Sequence, residues 1–290
     1  MNGWLPNLVL GTYLLIFVGT FLGYSIWRIK RKKRRPPFSE NHKLLRGPGE
    51  GQLREIQKLE ENLFFEFALA AFAPLMTVWI CLQIAVWLRE EQIRLALVAT
   101  ALLFAVSVAG AVAWLFKRLI SLRHRRLGYF GERLVAEILE PLKSKGCWVF
   151  HDVPGPGFNI DHVVIAPTGV FAIETKTRRK PKNGAADPIY VASGRLVTRW
   201  QDGHKHYAQA ERQARWLGEE LSGKAGNRLP VQGVLTFPYW YTNSHKGTVW
   251  VLYHTFIVKD ILERQGERLN DAQIDTFARK LESLCRDVEF

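Results

Sequence analysis

Apolar and polar positions divide this chain into two halves with different periods. Residues 4–27, WLPNLVLGTYLLIFVGTFLGYSIW, carry no charge, and two further apolar runs occupy 63–88 and 95–116, separated by the hexapeptide REEQIR. About 20 apolar residues cross a bilayer core as a helix, so the pattern predicts a first span followed by a helical hairpin with a tight turn. RIKRKKRRPP comes directly after the first run. A cleaved signal peptide has its basic residues before a shorter apolar core, so the first run reads as a retained anchor. Pro74 falls inside the second run, where a membrane helix tolerates a kink. Glu66 lies near one end of that run, where a carboxylate reaches the interface.

Beyond residue 120 no apolar run reaches the length of a span, and the pattern becomes one of short elements. Residues 127–146 place Leu134, Val135, Ile138, Leu139 and Leu142 at helical spacing before Gly146, a stop signal. CWVFHDV reads as a strand, PGPG as a loop, and NIDHVVIA and GVFAIETK as two strands joined through Pro167–Gly169. PIYVAS and RLVTRW predict a second hairpin around Gly194. Residues 205–222 read as an amphipathic helix, VQGVLTFP and VWVLY as strands, and TFIVKDILERQ and NDAQIDTFARKLESLC as closing helices, the last capped by Asn270. This order predicts an α/β domain, a mixed sheet flanked by helices. The expected map is a transmembrane helix at 1–27, a basic linker at 28–62, a transmembrane hairpin at 63–116, and a soluble domain at 120–290.

Charge adds an orientation. The chain of 290 residues has a net charge of +13 and a pI near 9.8, which calls for an anionic partner, and both nucleic acid and an inner membrane leaflet qualify. Eleven Lys and Arg fall in 28–62 and five in 117–126, whereas the loop at 89–94 has two, balanced by Glu90 and Glu91. Basic residues stay on the cytoplasmic side. The N-terminus is therefore expected outside, and everything after residue 117 in the cytosol, as in an integral protein of a bacterial inner membrane. Cys81, Cys147 and Cys285 are far apart and form no metal-ligand spacing, which fits a reducing compartment. The sequence contains no GxxxxGK[ST] stretch, so no nucleotide cofactor is expected. Spans with almost no internal charge argue against a solute transporter.

Candidate chemistry centres on NIDHVVIAPTGVFAIETK. Residues two apart in a strand share a face, so Glu174 and Lys176 point the same way. In a hairpin centred between Pro167 and Thr168, Asp161 lies opposite Glu174, with Cβ atoms about 5 Å apart. Two carboxylates at that distance repel unless a positive charge intervenes, and either Lys176 or a divalent cation supplies it. As a metal site, Asp161 and Glu174 would hold Mg²⁺ (or Mn²⁺), with the backbone carbonyl of Thr175 as a further ligand and water and phosphate completing the shell. Lys176 would then position or deprotonate the attacking water, or offset transition-state charge. Glu132 on the preceding helix would support the metal or orient Lys176. The plain alternative is a salt-bridged patch at a sheet edge. Downstream, Arg178, Arg179, Lys180 and Lys182 either grip a phosphate backbone or form a solvated loop. His204 and His206 sit at i and i+2 of a helix and diverge, which argues against zinc. Trp200 and Trp216 read as core, whereas YWY at 239–241 falls in a loop where bases can stack.

GERLVAEIL, GFNIDHVVIAPTGVFAIETKT and YAQAERQARWLGEEL, in that order, resemble the nuclease-related domain (NERD) family, over roughly residues 127–240. That resemblance implies the PD-(D/E)xK, restriction-endonuclease-like fold and magnesium-dependent cleavage or processing of DNA. It assigns Asp161, Glu174 and Lys176 to the motif, Glu132 to the acidic position of the first helix, and Gln209 to an assisting glutamine. FNID replaces the literal Pro-Asp. The expectation is a membrane-anchored, cytosol-facing nuclease whose partners are nucleic acid and the bilayer, with room for a homo-oligomer. The alternative is a scaffold that binds nucleic acid at the membrane without turnover.

Overall fold

The computed structural model describes residues 5–32, 43–85, 89–181, 189–192, 195–198, 200–223, 229–245, 247–266 and 268–288. The chain forms two units, residues 1–44 with 288–290, and residues 45–287. In the first unit, Leu5–Lys32 form helix α1, which covers most of the first apolar run.

The second unit begins with two long helices, α2 (Glu50–Ala85) and α3 (Glu90–Leu139). Glu55 pairs with Arg125, Glu60 with Arg126 and Glu66 with Arg118, so the helices run antiparallel as the predicted hairpin does. By length and composition α2 and α3 can each cross a membrane, whereas the apolar stretch described in α1, Leu15–Trp27, is shorter than a span. Two boundaries differ from expectation. Residues 50–62 are helix rather than linker, because nothing after Gly51 interrupts a run of helix formers that continues into the apolar segment. Likewise α3 runs unbroken from the apolar segment into the α/β domain. KRLISLRHRRL contains no Gly or Pro to stop it, so the helix predicted at 127–146 is the far end of the hairpin. It tightens into a 3-10 turn at Glu140–Lys145 and stops at Gly146, whose φ of 78° is the left-handed conformation a glycine cap provides.

Strands β1 (Trp148–Gly155), β2 (Phe158–Ala166), β3 (Gly169–Thr175), β6 (Val231–Thr236), β7 (Asn243–Ser244) and β8 (Val249–Leu252) form one sheet in the order β1-β2-β3-β6-β8-β7. Strands β4 (Tyr190–Ala192) and β5 (Arg195–Val197) make a separate small hairpin; its turn, including Gly194, lies outside the described residues. The β1–β2, β2–β3 and β7–β8 pairs are antiparallel, and β3–β6 and β6–β8 are parallel. The sheet is therefore mixed, as expected. Half of the PGPG loop is strand, and only Pro156 and Gly157 turn between β1 and β2.

Helices α4 (Gly203–Ser222) and α6 (Asp271–Cys285) cover one face, packing Ala214, Leu217, Ile274 and Leu281 on Val163, Ile165, Val170 and Ala172. The end of α3 and α5 (Ile257–Glu263) cover the other, packing Val135, Leu139, Ile257 and Ile261 on Val164, Phe171 and Ile173. All seven residues of β3 are buried, which is why that strand reads as a continuous apolar run. Asn270 caps α6 as predicted: its side chain accepts from Gln273 N–H, and Gln273 reaches back to the Asn270 N–H. The three cysteines are free thiols.

Candidate functional site

The β2–β3 ladder pairs His162 with Ile173, Val163 with Ala172 and Val164 with Phe171. This is the predicted register; the ladder ends at His162–Ile173, and Asp161 and Glu174 are the next residues beyond that pair. Both belong to the strand face that packs on α4. The Glu174 carboxylate is 1% exposed and already held by three N–H donors. Gln209 Nε2 donates to Oε1 at 2.9 Å, Gln213 Nε2 donates to Oε2 at 2.6 Å, and the Lys176 ammonium pairs with Oε1. Gln209 and Gln213 lie one helical turn apart on α4, so both reach the same strand residue. Asp161 Oδ2 accepts the Thr175 N–H at 2.7 Å, leaving Oδ1 for another partner.

Glu132 arrives from α3 because Gly131 permits a close approach. A methyl group at Gly131 would lie 1.8 Å from Thr177 Oγ1, so any larger residue would lift this turn of α3 away from the end of β3.

A second layer of the site lies outside every residue the motif singled out. Asp152, in β1, is 3% exposed and takes a left-handed φ of 49°. Arg46 donates through Nη1 to the Asp152 carbonyl at 2.9 Å and to Oδ2 at 3.1 Å, and grips Asp287 bidentately at 2.7 and 2.6 Å. Asn159 donates to Asp152 Oδ1 at 3.0 Å. Gln52 lines the same cavity as Glu132. Gly51 is needed here, since a Cβ would sit 3.0 Å from both Asn159 Nδ2 and Asp152 Oδ1. The end of the supposed linker thus caps the two outer carboxylates. Breaking a mostly buried ion pair by deleting one partner costs about 3–5 kcal/mol. Arg46→Ala is expected to destabilise the second unit by an amount in that range, read from denaturant unfolding with Asp287→Ala as comparison. A loss no larger than that of Asp287→Ala would show that the Asp152 contact contributes nothing.

These groups interact strongly. Burial, with the charges of Asp152 and Glu174, pushes Glu132 up to about 8, against a partial offset from Lys176. Burial and the Glu174 and Glu132 charges hold Asp161 well above the usual carboxylate range. Burial alone would lower Lys176, but Glu174 and Asp161 outweigh it and raise the ammonium above its ordinary value. The cluster is therefore short of positive charge. Gln213 Oε1 and the Thr175 and Thr177 hydroxyls are buried without a hydrogen-bond partner. Two carboxylates beside such oxygens suit a hard cation that completes its shell with water and phosphate. Among the described residues no group of three or more His, Cys, Asp or Glu makes a closed metal cage.

The carboxylates line a cavity of about 630 Å³ together with Arg54, Lys58 and Arg125. Of the predicted phosphate-gripping residues, Arg178 is half-buried. It pairs with Asp202, lies 2.7 Å from His206 Nε2, and stacks 5.4 Å from the Trp200 ring. The Arg178 and Asp202 side chains both stay partly exposed, so the guanidinium is held by a surface carboxylate. Arg179 and Lys180 are exposed, and Lys182 lies outside the described residues. Trp200 packs on Phe237 and Trp240, and Trp216 on Phe158, as core residues.

Residues 127–238 match the nuclease-related domain (NERD) family. The NERD region, less than half of the chain, contains Glu132, Asp152, Asp161, Glu174, Lys176, Gln209 and Gln213. Arg46, Gly51 and Gln52 lie outside it, as do α5 and α6. A stretch of 54 residues is 46% identical to an uncharacterized protein of Bacillus anthracis, covering 17% of this chain and 26% of that protein. The chain thus spans about a quarter of the length of the curated relative it matches. No solved structure matches.

Of the residues the sequence missed, Gln213 had a signal, its one-turn spacing from Gln209. Asp152 had a weaker one, an acid within an apolar strand as Asp161 is. Arg46 and Gln52 had none, because Asp152 lies 106 positions from Arg46 and Glu132 about eighty positions from Gln52.

Proposed function

We propose that this chain is a membrane-anchored nuclease with a restriction-endonuclease-like domain in the cytosol, cleaving phosphodiester bonds in nucleic acid, DNA by preference. The observation that carries this reading is the convergence of Asp161, Glu174 and Lys176 at one end of β2 and β3, within a stretch that matches a nuclease-related family. Asp161, Glu174 and the Thr175 carbonyl would hold Mg²⁺ or Mn²⁺. When bound there the ion supplies Lewis-acid polarisation of the phosphate and a more acidic water. Gln209 and Gln213 fix the Glu174 carboxylate, and the Thr175 N–H fixes Asp161. With its raised pKa, Lys176 stays charged near neutral pH. As a cation it is placed to offset charge on the transition-state oxyanion.

The alternative is a nucleic-acid-binding scaffold without turnover. It draws support from the three donors that already engage Glu174. The test uses full-length protein in detergent micelles, because Arg46 and Gln52 would be cut away with the helical hairpin. Labelled single-stranded DNA, duplex DNA and RNA are incubated with Mg²⁺, Mn²⁺ or EDTA. Cleavage that requires the metal supports the nuclease, and binding without cleavage supports the scaffold.

Three transmembrane helices, α1, α2 and α3, belong to the same reading, with the N-terminus outside. It rests on the apolar runs and on the bias of basic residues toward 28–62 and 117–126. Reporter fusions after residues 92 and 290 are expected to report outside and inside respectively; a cytosolic reporter at 92 overturns the orientation.

A further inference from the structure

The C-terminal ends of the parallel strands β3, β6 and β8 lead into three neighbouring segments. After β3 come Lys176 and the basic residues Arg178–Lys180. After β6 comes FPYWY, and after β8 come Tyr253 and His254. Ligands in open α/β sheets bind beyond this end of the strands. Two hydrogen bonds tie the first two segments together: Lys176 N–H donates to Thr236 O at 2.9 Å, and Trp240 Nε1 donates to Arg178 O at 3.1 Å.

Tyr239 lies between those two tethers. It is 57% exposed, and Tyr241 is 71% exposed, whereas Trp240 between them is 1% exposed. A buried tryptophan flanked by two outward tyrosines is an anchored presentation of aromatic rings. Tyr239 also adopts a φ of 64°, which is costly for a bulky residue and persists only where the surroundings enforce it. The enforcement is visible: Tyr239 N–H donates to His254 Nδ1 at 3.2 Å, with ring centroids 4.8 Å apart. Burial pushes His254 below its usual pKa, so its Nδ1 is available as an acceptor. Tyr241 leans on Tyr253 at 5.8 Å. Folding alone gives no reason to expose two tyrosines here at the expense of backbone strain.

We propose that Tyr239 and Tyr241 form a stacking platform for the bases of a single-stranded nucleic acid whose phosphates run along Arg179 and Lys180 toward the Lys176 site. The chemistry favours this occupant over a protein. Exposed aromatic faces beside exposed cations match unpaired bases on an anionic backbone. A paired duplex hides its base faces and has no use for the rings. Tyr239 lies three residues from Thr236, whose carbonyl holds Lys176, so the platform begins within ~10 Å of the site. The proposal rests on the nuclease reading only for what happens to the strand once bound. It makes the preferred substrate a single strand or a frayed end.

The test measures binding by fluorescence anisotropy in EDTA, where no turnover complicates it. It uses full-length protein in micelles, a labelled single-stranded oligodeoxynucleotide and the corresponding duplex. Stacking on one aromatic side chain contributes about 1–3 kcal/mol per base. Tyr241→Ala is therefore expected to weaken single-strand binding about 10-fold and the double variant with Tyr239→Ala further, while duplex binding changes less than about twofold. Phenylalanine at both positions should restore single-strand binding, since the ring and not the hydroxyl carries the stacking. Tyr241→Ala keeps the proposal testable if the strained Tyr239 position disturbs folding. Unchanged single-strand affinity, an equal loss for single strand and duplex, or a wild type that binds no single strand each overturns the platform. Cleavage is assayed separately with Mg²⁺. Tyrosine-dependent binding without cleavage would sink the nuclease reading and leave the platform standing, whereas cleavage with tyrosine-independent binding would do the reverse.

Discussion

Lys176→Ala is expected to lower the rate of nucleic-acid cleavage by about 10²–10³-fold, the cost typical of removing one preorganised charge-stabilising group. The side chain is the cation paired with Glu174 and the main offset to the repulsion among Glu174, Asp161 and Glu132. Without it those carboxylates keep only neutral N–H donors. Arginine should not rescue the rate, because a planar guanidinium cannot occupy the compact position of an ammonium. Substrate affinity should change much less, since the cations on the approach, Arg179 and Lys180, are untouched. Single-turnover cleavage and binding in EDTA separate the two effects. A variant that cleaves within a few-fold of wild type would remove Lys176 from the mechanism. The stability loss should be moderate, because Lys176 is partly exposed and Gln209 and Gln213 continue to hold Glu174.

Glu132→Gln is expected to stabilise the metal-free protein at pH 8 and to have little effect at pH 5. Burial and the neighbouring Asp152 and Glu174 charges raise Glu132 in the fold to about 8, against 4.5 for an ordinary glutamate. The fold therefore binds a proton that the unfolded chain releases over this window. The stability associated with that proton is fully present below about pH 4.5 and is lost as pH rises through about 8. A shift of this size corresponds to an effect on the order of several kcal/mol. Gln removes the ionisation while keeping nearly the same size and shape. Thermal unfolding in EDTA should show a wild-type Tm that falls from pH 5 to pH 8 and a variant that falls less, with a difference at pH 8 of roughly 5 °C or more. Mg²⁺ should raise the wild-type Tm more at pH 8 than at pH 5, because a cation offsets charge that exists only at the higher pH. Parallel pH profiles for wild type and variant would mean that Glu132 carries no strained ionisation.

Local physics made much of this legible from the chain. The hairpin register was readable because a two-residue turn and a period of two leave little freedom. Once Pro167–Gly169 is recognised as the turn, Val163 must face Ala172, and Asp161 and Glu174 must be the next residues beyond the His162–Ile173 pair. The Asn270 cap and the Gly146 stop were readable for the same reason, each acting within four residues. The helix boundaries were not. Apolar patterning marks where a helix is buried or lipid-like, not where it ends, so α3 ran on through KRLISLRHRRL and α2 began a full three turns early.

The sequence by itself determined the strand that carries Glu174, the second carboxylate just beyond the same ladder, and the pairing of three chemical groups at one strand end. These depend on neighbours a few residues away, whose geometry the backbone dictates. Tertiary structure alone decided that the chain around the start of α2 folds back onto the site. Arg46 meets Asp152 across 106 positions, and Gln52 shares a cavity with Glu132 across about eighty. It also decided that Arg178 pairs with Asp202 while Tyr239 and Tyr241 turn outward. Such contacts follow from how whole helices pack against the sheet and from which buried charges must find partners, and no period in the chain encodes them.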